Sequence, residues 1–465
     1  MRVFLFLSVL LSGYQVHAYT VFAHFMVGNT KKYSVGDWED DITEARASHI
    51  DGFALNLAFE EAPNEKGVAN AFQAAKNLGS DFKLFFSFDY LGMGPWTADS
   101  VVDLVNQYSG EDAYFKRGSK PLVSTFEGTS PASIAEWPVI KEKTNCFFVP
   151  SWSSMGAKGA MNSTAVDGLF SWAAWPDGPR DMTDSIDETY LHYLQNKTYM
   201  MPVSPWFYTN LPGYEKNWLW RGDDLWYDRW QEVLSIRPEF VQILTWNDYG
   251  ESHYIGPLRN KAYKAFKDGD APYNYAKNMP HDGWRVLLPY LIDMYKSGSA
   301  SIPQESLVSW YRLAKADRCT DGGTTGNSGN QGQTTFIPTT IVQDKIFFSA
   351  LLESPASVSI SIGGVNITST WENTPDGEAG IYHGSVDFGD NLGEVIVEVS
   401  RDGHSVARVV GESIDDSCPH NIQNYNAWVG SDPTFSNLGS IDRPPLLALV
   451  GITLLMALAG ASLLS

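Results

Sequence analysis

Residues 245–256 read TWNDYGESHYIG, which sets the carboxylates Asp248 and Glu251 three residues apart among Trp246, Tyr249, His253 and Tyr254. The apolar run before them, FVQILTW, reads as a buried strand. Paired carboxyl groups can protonate a leaving oxygen and deprotonate a water, and aromatic faces stack on sugar rings. A strand that ends in acids and aromatics therefore predicts cleavage of glycosidic bonds. In this reading Asp248 and Glu251 are catalytic, and Trp246, Tyr249, His253 and Tyr254 contact sugar.

Such a group has to be held by the ends of other strands. Apolar runs recur at 19–27, 50–59, 82–90, 121–128, 145–153, 166–175, 199–208 and 240–248. Amphipathic stretches lie between most of them, at 37–49, 64–78, 100–108, 130–143, 185–196 and 223–235. Buried runs without strict alternation suit a parallel sheet covered on both faces. Their number and spacing predict a (β/α)8 barrel over 19–319, with bracing helices at 284–297 and 305–316. A doubly wound open sheet is the competing arrangement, but no Gly-rich phosphate loop follows an early strand.

Function in a barrel gathers at the C-terminal ends of its strands. The acids expected there are Glu60, Glu61, Asp89, Glu127, Asp177, Asp248 and Glu251. Asp89, which ends FKLFFSFD, is the third candidate for catalysis. Glu127 reads as a substrate contact or a helix cap. His24 reads either as a sugar contact or as a satisfied core histidine. Asn56, Trp152 and Trp175 complete the expected substrate contacts. His253 has no second histidine at zinc spacing, Cys146 lies in an apolar run, and no G-x-S-x-G occurs. No metal, cofactor or serine nucleophile is expected.

Beyond the expected barrel, residues 320–335 are Gly, Thr, Asn and Gln apart from Asp321 and Ser328, and read as a flexible linker. Alternating runs over 336–418 predict an antiparallel β-sandwich, in which Trp371 and Tyr382 can serve packing or sugar binding. Residues 1–18 read as a secretory signal. A polar spacer over 419–445 and an apolar tail over 446–465 read as a GPI-attachment signal with its site near Ser436 or Asn437. Cys319 and Cys418 are expected to pair, and Asn162, Asn196 and Asn366 carry glycosylation sequons. The net charge of -21 has no basic stripe to set against it, which removes nucleic acid as a partner. Nothing marks an oligomer, so a monomer is the default.

Four stretches, FAHFMVGNT, DDITEARASHIDGFALNLA, FKLFFSFDY and TWNDYGESHYIGP, resemble the fungal α-1,3-glucanases, or mutanases, of glycoside hydrolase family 71. The resemblance implies a (β/α)8 catalytic domain with a β-sandwich, and endo-hydrolysis of α-1,3-glucan with inversion. It implies Asp248 and Glu251 as the essential acids with Asp89 as a third, Glu251 being cast as general acid and Asp248 as general base. Inversion asks for carboxyl groups ~6.5–9.5 Å apart, so the side chains of Asp248 and Glu251 must diverge. If they converge, Asp89 becomes half of the pair. The resulting expectation is a secreted, GPI-anchored enzyme of the cell surface or wall. A non-catalytic glycan-binding wall protein and a wall transglycosylase are the rivals.

Overall fold

The computed structural model describes residues 19–434. The expected signal, the attachment region at Ser436 and Asn437, and the apolar tail lie outside the described residues. Among the described residues no helix is long and apolar enough to cross a membrane.

A curled, mainly parallel sheet makes up the first part of the chain. Its strands are β1 (Thr20–Met26), β2 (Gly52–Ala58), β3 (Lys83–Asp89), a short antiparallel β4 (Lys116–Arg117), β5 (Lys120–Phe126), β6 (Phe147–Phe148), β7 (Gly168–Phe170), β8 (Thr198–Val203) and, after the hairpin β9 (Tyr208–Leu211) and β10 (Lys216–Leu219), β11 (Phe240–Ile243). Pairing runs β4-β5-β3-β2-β1-β11-β8-β7, and β6 pairs with β5. Between β6 and β7, Asp167 N donates to Phe148 O and Phe170 N to Pro150 O, each at 2.9 Å. All seven residues of β2 are buried, as befits a strand covered on both faces.

Helices α1 (Val35–Ala47), α2 (Asn64–Asn77), α3 (Ala98–Tyr108), α4 (Pro131–Thr144), α5 (Gly156–Ala160), α6 (Ser185–Leu194) and α7 (Leu225–Ile236) alternate with the strands. Polar side chains satisfy several exposed N-termini. Ser34 and Asp37 form a capping box on α1, and Thr97 and Ser130 cap α3 and α4. Trp38, Ala71, Val101 and Trp137 turn the apolar faces of these helices into the same cluster as the strands.

Side-chain alternation divides the sheet interior into levels. Near the N-terminal ends of the strands, Phe22 meets Phe85, Phe115 and Phe240 with ring centroids 4.8, 4.9 and 5.7 Å away. Two residues further along β1 and β11 the same face turns polar, with His24 Nδ1 2.9 Å from Gln242 Nε2. One end of the sheet is thus filled by aromatic rings, and the other carries polar groups toward the strand ends.

Two four-stranded antiparallel sheets follow. Their strands are β12 (Ser306–Tyr311), β14 (Lys345–Leu352), β15 (Ser357–Ile362), β16 (Val365–Ile367), β17 (Gly380–Asp387), β18 (Gly393–Arg401), β19 (His404–Ile414) and β20 (Trp428–Asp432), while β13 (Thr325–Gly326) joins the hairpin β9–β10 instead. Leu307, Phe348, Ile360, Val397 and Val409 share one buried cluster.

Three expectations need correction here. The helix expected at 305–316 is the strand β12, whose six residues are all buried and leave no polar face for a helix to expose. Residues 320–335 are not a free linker: they contribute β13 and a 3-10 turn, Gly329–Gln331. The expected spacer contains β20, which pairs with β12.

Helices α6 and α7 are locked by a fully buried ion pair. Arg229 Nη1 and Nη2 donate to Asp187 at 2.7 and 3.0 Å, Arg229 also reaches Pro202 O, and Tyr199 Oη donates to Asp187 at 2.5 Å. Truncating one partner leaves the other charge buried and unmet. Arg229→Met is therefore expected to lose about 3–5 kcal/mol in chemical denaturation, with a matching fall in Tm.

Candidate active site

The loop after β11 doubles back on itself. Thr245 N donates to His253 O at 2.7 Å, and Ile255 N and Gly256 N return to Thr245 O and Trp246 O at 2.9 and 2.8 Å. Asn247 ties this loop to the end of β1, accepting from Met26 N at 2.7 Å and donating to Met26 O at 3.1 Å. The Asp248 side chain accepts from Glu251 N at 3.1 Å and so starts the 3-10 turn Tyr249–Glu251. This cap draws the two acids toward each other: Asp248, Glu251 and His253 each offer an oxygen or nitrogen within 4.8 Å of the others.

Both oxygens of Glu251 are engaged. Lys216 Nζ, from β10, lies 2.6 Å from Oε1, and His253 Nε2 lies 2.9 Å from Oε2. Burial alone would raise the pKa of Glu251, but Lys216 and His253 outweigh it and hold the carboxyl well below the usual range. Asp248 moves the other way, raised first by burial and then by the Glu251 anion. Glu251 in turn pushes the Lys216 ammonium up. These directions run opposite to the expected split, in which Glu251 was the proton donor. The trio is compact enough to chelate a cation, but Lys216 already supplies the positive charge at Glu251.

Asp89 closes β3. Its Oδ1 accepts from Leu91 N and Gly92 N at 2.8 and 2.9 Å, yet burial still raises its pKa; the buried Asn56 on β2 is a further, lowering influence. His24 is buried, and burial followed by His253 lowers it to about 3, so its ring is neutral. Its Nε2 has no hydrogen-bond partner among the described residues, and its ring meets Trp172 in a T-shaped contact at 5.0 Å.

The aromatic expectations divide. Trp246, Tyr249, Tyr254 and Trp152 are buried among other side chains. Tyr249 Oη donates to Pro257 O, Tyr254 Oη to Met279 O, and Trp152 packs on Phe148. His253 is buried too, 5.4 Å from Trp175, and acts on Glu251. Trp175 is partly buried, donates to Trp206 O and stacks on Trp220 at 5.1 Å. Glu127 turns away to hold the backbone N and hydroxyl of Ser154 at 3.0 and 2.5 Å. Asp177 is bound by Asn327, and Glu61 faces Lys264 at 3.9 Å.

Two participants had no sequence signal or a weak one. Lys216 sits in a plain E-K-N stretch whose partner is thirty-five residues away. Trp172, in FSWAAW, is partly buried just past β7 and holds a left-handed backbone with φ 56°. A bulky residue adopts that conformation only where its surroundings impose it, and such residues gather at working sites.

The family model for glycosyl hydrolase family 71 matches residues 17–440. A mutanase of Penicillium rubens is 35% identical over 426 residues, covering 88% of this chain and 88% of the relative. The glucan endo-1,3-alpha-glucosidase of Schizosaccharomyces pombe is 36% identical over 88% of this chain and 94% of its own length. An ascus wall endo-1,3-alpha-glucanase of the same yeast is 31% identical over 61% of this chain and 68% of its own. Among solved structures, an endo-alpha-mannosidase of Bacteroides thetaiotaomicron aligns with TM-score 0.44 and 11% identity, covering 59% of this chain and 97% of that one. The family model and the relatives together place this chain in glycosyl hydrolase family 71, as a glycoside hydrolase.

Proposed function

We propose that this chain is a secreted, membrane-anchored endo-hydrolase of α-1,3-glucan that inverts the anomeric carbon. One observation carries the reading: at the end of β11 a raised carboxyl, Asp248, lies against a lowered one, Glu251. Neighbouring acids whose pKa values are driven apart are what proton-transfer catalysis needs. In this reading Asp248, raised by burial and by the Glu251 anion, gives a proton to the glycosidic oxygen as the bond to C1 breaks. Water adds to C1 from the opposite face and passes a proton to Asp89, whose Oδ2 is not used by the backbone turn. Glu251 remains an anion that keeps Asp248 protonated. The names of the relatives supply the polymer, α-1,3-glucan.

The curled sheet is read as a closed (β/α)8 barrel, supported by the hydrogen bonds that span β6 and β7. The two later sheets are read as a β-sandwich running from β12 to β20. Secretion agrees with the signal-like composition of residues 1–18, with the exposed positions of Asn162, Asn196 and Asn366, and with the Cys319–Cys418 disulfide. The polar spacer and apolar tail support a GPI anchor, and the enzyme is taken to act as a monomer.

The convergence of Asp248 and Glu251 within 4.8 Å favours a second reading, retention with Glu251 as nucleophile, which would also permit transglycosylation. Proton NMR of fresh products from α-1,3-glucan separates the two: initial β-anomers are expected, and initial α-anomers would establish retention. Asp248→Asn is expected to lower kcat about 10²–10⁴-fold while glucan is still bound; a parent protein that binds but never cleaves would make it a wall lectin. The pH profile of kcat/KM should fall on its alkaline side as Asp248 loses its proton, at a pH above the ordinary aspartate range.

A further inference from the structure

Residues 320–335 carry no large apolar side chain, but Thr324, Asn327 and Ser328 are buried, and backbone and amide groups of the segment bond to the ribbon that carries Lys216. β13 pairs in parallel with β10, Thr325 beside Trp218 and Gly326 beside Leu219. Asn327 N donates to Leu219 O at 2.8 Å. Asn217 donates to Gly322 O at 3.0 Å and accepts from Thr324 Oγ1 at 2.7 Å, and Asn330 donates to Glu215 O at 2.7 Å. Trp220 Nε1 donates to Gln333 Oε1 at 3.0 Å. These bonds bracket position 216 on both sides.

The glycines here serve closeness, not freedom. A Cβ at Gly326 would come within 2.3 Å of Ile341 Cγ1. The start of the segment is fixed by the Cys319–Cys418 disulfide, by Thr320 Oγ1 donating to Asn421 O at 2.7 Å, and by Gln423 N donating to Thr320 O at 2.8 Å. A two-stranded ribbon is marginal alone in water and gains independence with a third strand. The Lys216–Glu251 pair is partly buried, with side chains 40% and 16% exposed, and holding a long lysine side chain in one geometry costs entropy unless its backbone is fixed. Its place on Glu251 therefore depends on the ribbon beneath it.

We propose that the Gly/Thr/Asn segment, pinned by the Cys319–Cys418 disulfide, is the third strand that positions Lys216 against Glu251, making Lys216 a positioning residue and the disulfide a remote support of the active site. This rests on the reading of Asp248 and Glu251 as the working acids. The groups facing Glu251 are Asp248 and His253 from its own loop, Lys216 from β10 and His24 from β1; Asp89 from β3 acts on Lys216. Loss of the Lys216 contact removes a cation that favours the Glu251 anion. Less acid then suffices to protonate Glu251, and Asp89, which Lys216 also favours as an anion, is likewise protonated at higher pH, so the acid limb of the rate profile moves up.

The test is kcat/KM on α-1,3-glucan against pH for the full protein and four variants, with thermal unfolding recorded for each. Lys216→Met should lower kcat roughly 10–100-fold and shift the acid limb up by about one pH unit or more. Lys216→Arg should restore the parent limb. Cys319→Ser/Cys418→Ser should shift the limb in the Lys216→Met direction. Asn217→Ala, which cuts two bonds to the segment and spares the disulfide, should do the same and decides the matter if the cysteine variant fails to fold. An active parent whose limb stays put in Lys216→Met, or in Asn217→Ala, overturns this inference alone. An inactive parent overturns the functional reading and this inference with it.

Discussion

A carboxylate withdrawn from water has to be met by positive charge or by hydrogen bonds, and Glu251 receives both, Lys216 on one oxygen and His253 on the other. The surrounding structure is arranged to make that meeting possible. The hairpin between β8 and α7 departs from the alternation of strand and helix to deliver the lysine. The doubling back of the loop after β11 delivers the histidine, and Phe207 and Trp175 pack on its ring to keep it there. Once Glu251 is fixed as an anion, its neighbour Asp248 cannot ionise easily. Two chemically similar groups, joined by a single 3-10 turn, are thereby driven apart in proton affinity.

The levels inside the sheet give this asymmetry its direction. Phenylalanines fill the end where the strands begin, and polar groups appear only as the strands finish. Water is excluded from one end, and charge is developed at the other. His24 stands at the boundary, neutral because burial and the nearby His253 both oppose a proton on it.

Much of this was legible in the sequence, for reasons that also explain what was not. Long apolar runs such as the one around β2 can be buried only on both faces, so the parallel strands announce themselves. The Asp-Tyr-Gly-Glu stretch is dense in groups that seldom share a loop without work to do. SLVSWY is short and mixes serines with apolar residues, a pattern that suits helix or strand alike; its pairing with β14 and β20 makes it a strand. Composition says which residues share a loop but not which way each one faces, so the burial of Trp246, Tyr249 and Tyr254 is not legible in it. Lys216 was invisible because its meaning lies entirely in a contact across the fold. Residues 320–335 looked idle because a segment that bonds through backbone and amides carries no hydrophobic signature.

The pairing of β12 with β20 has a consequence in time. β12 is made before the other strands of its sheet, and its last neighbour, β20, is among the final described residues. Until Asp432 has been synthesised, one side of β12 presents unpaired backbone groups that any other extended chain could take. The sheet of β12 is thus completed by β20, and a nascent chain held short of that point stays open along an edge that β20 covers in the finished protein.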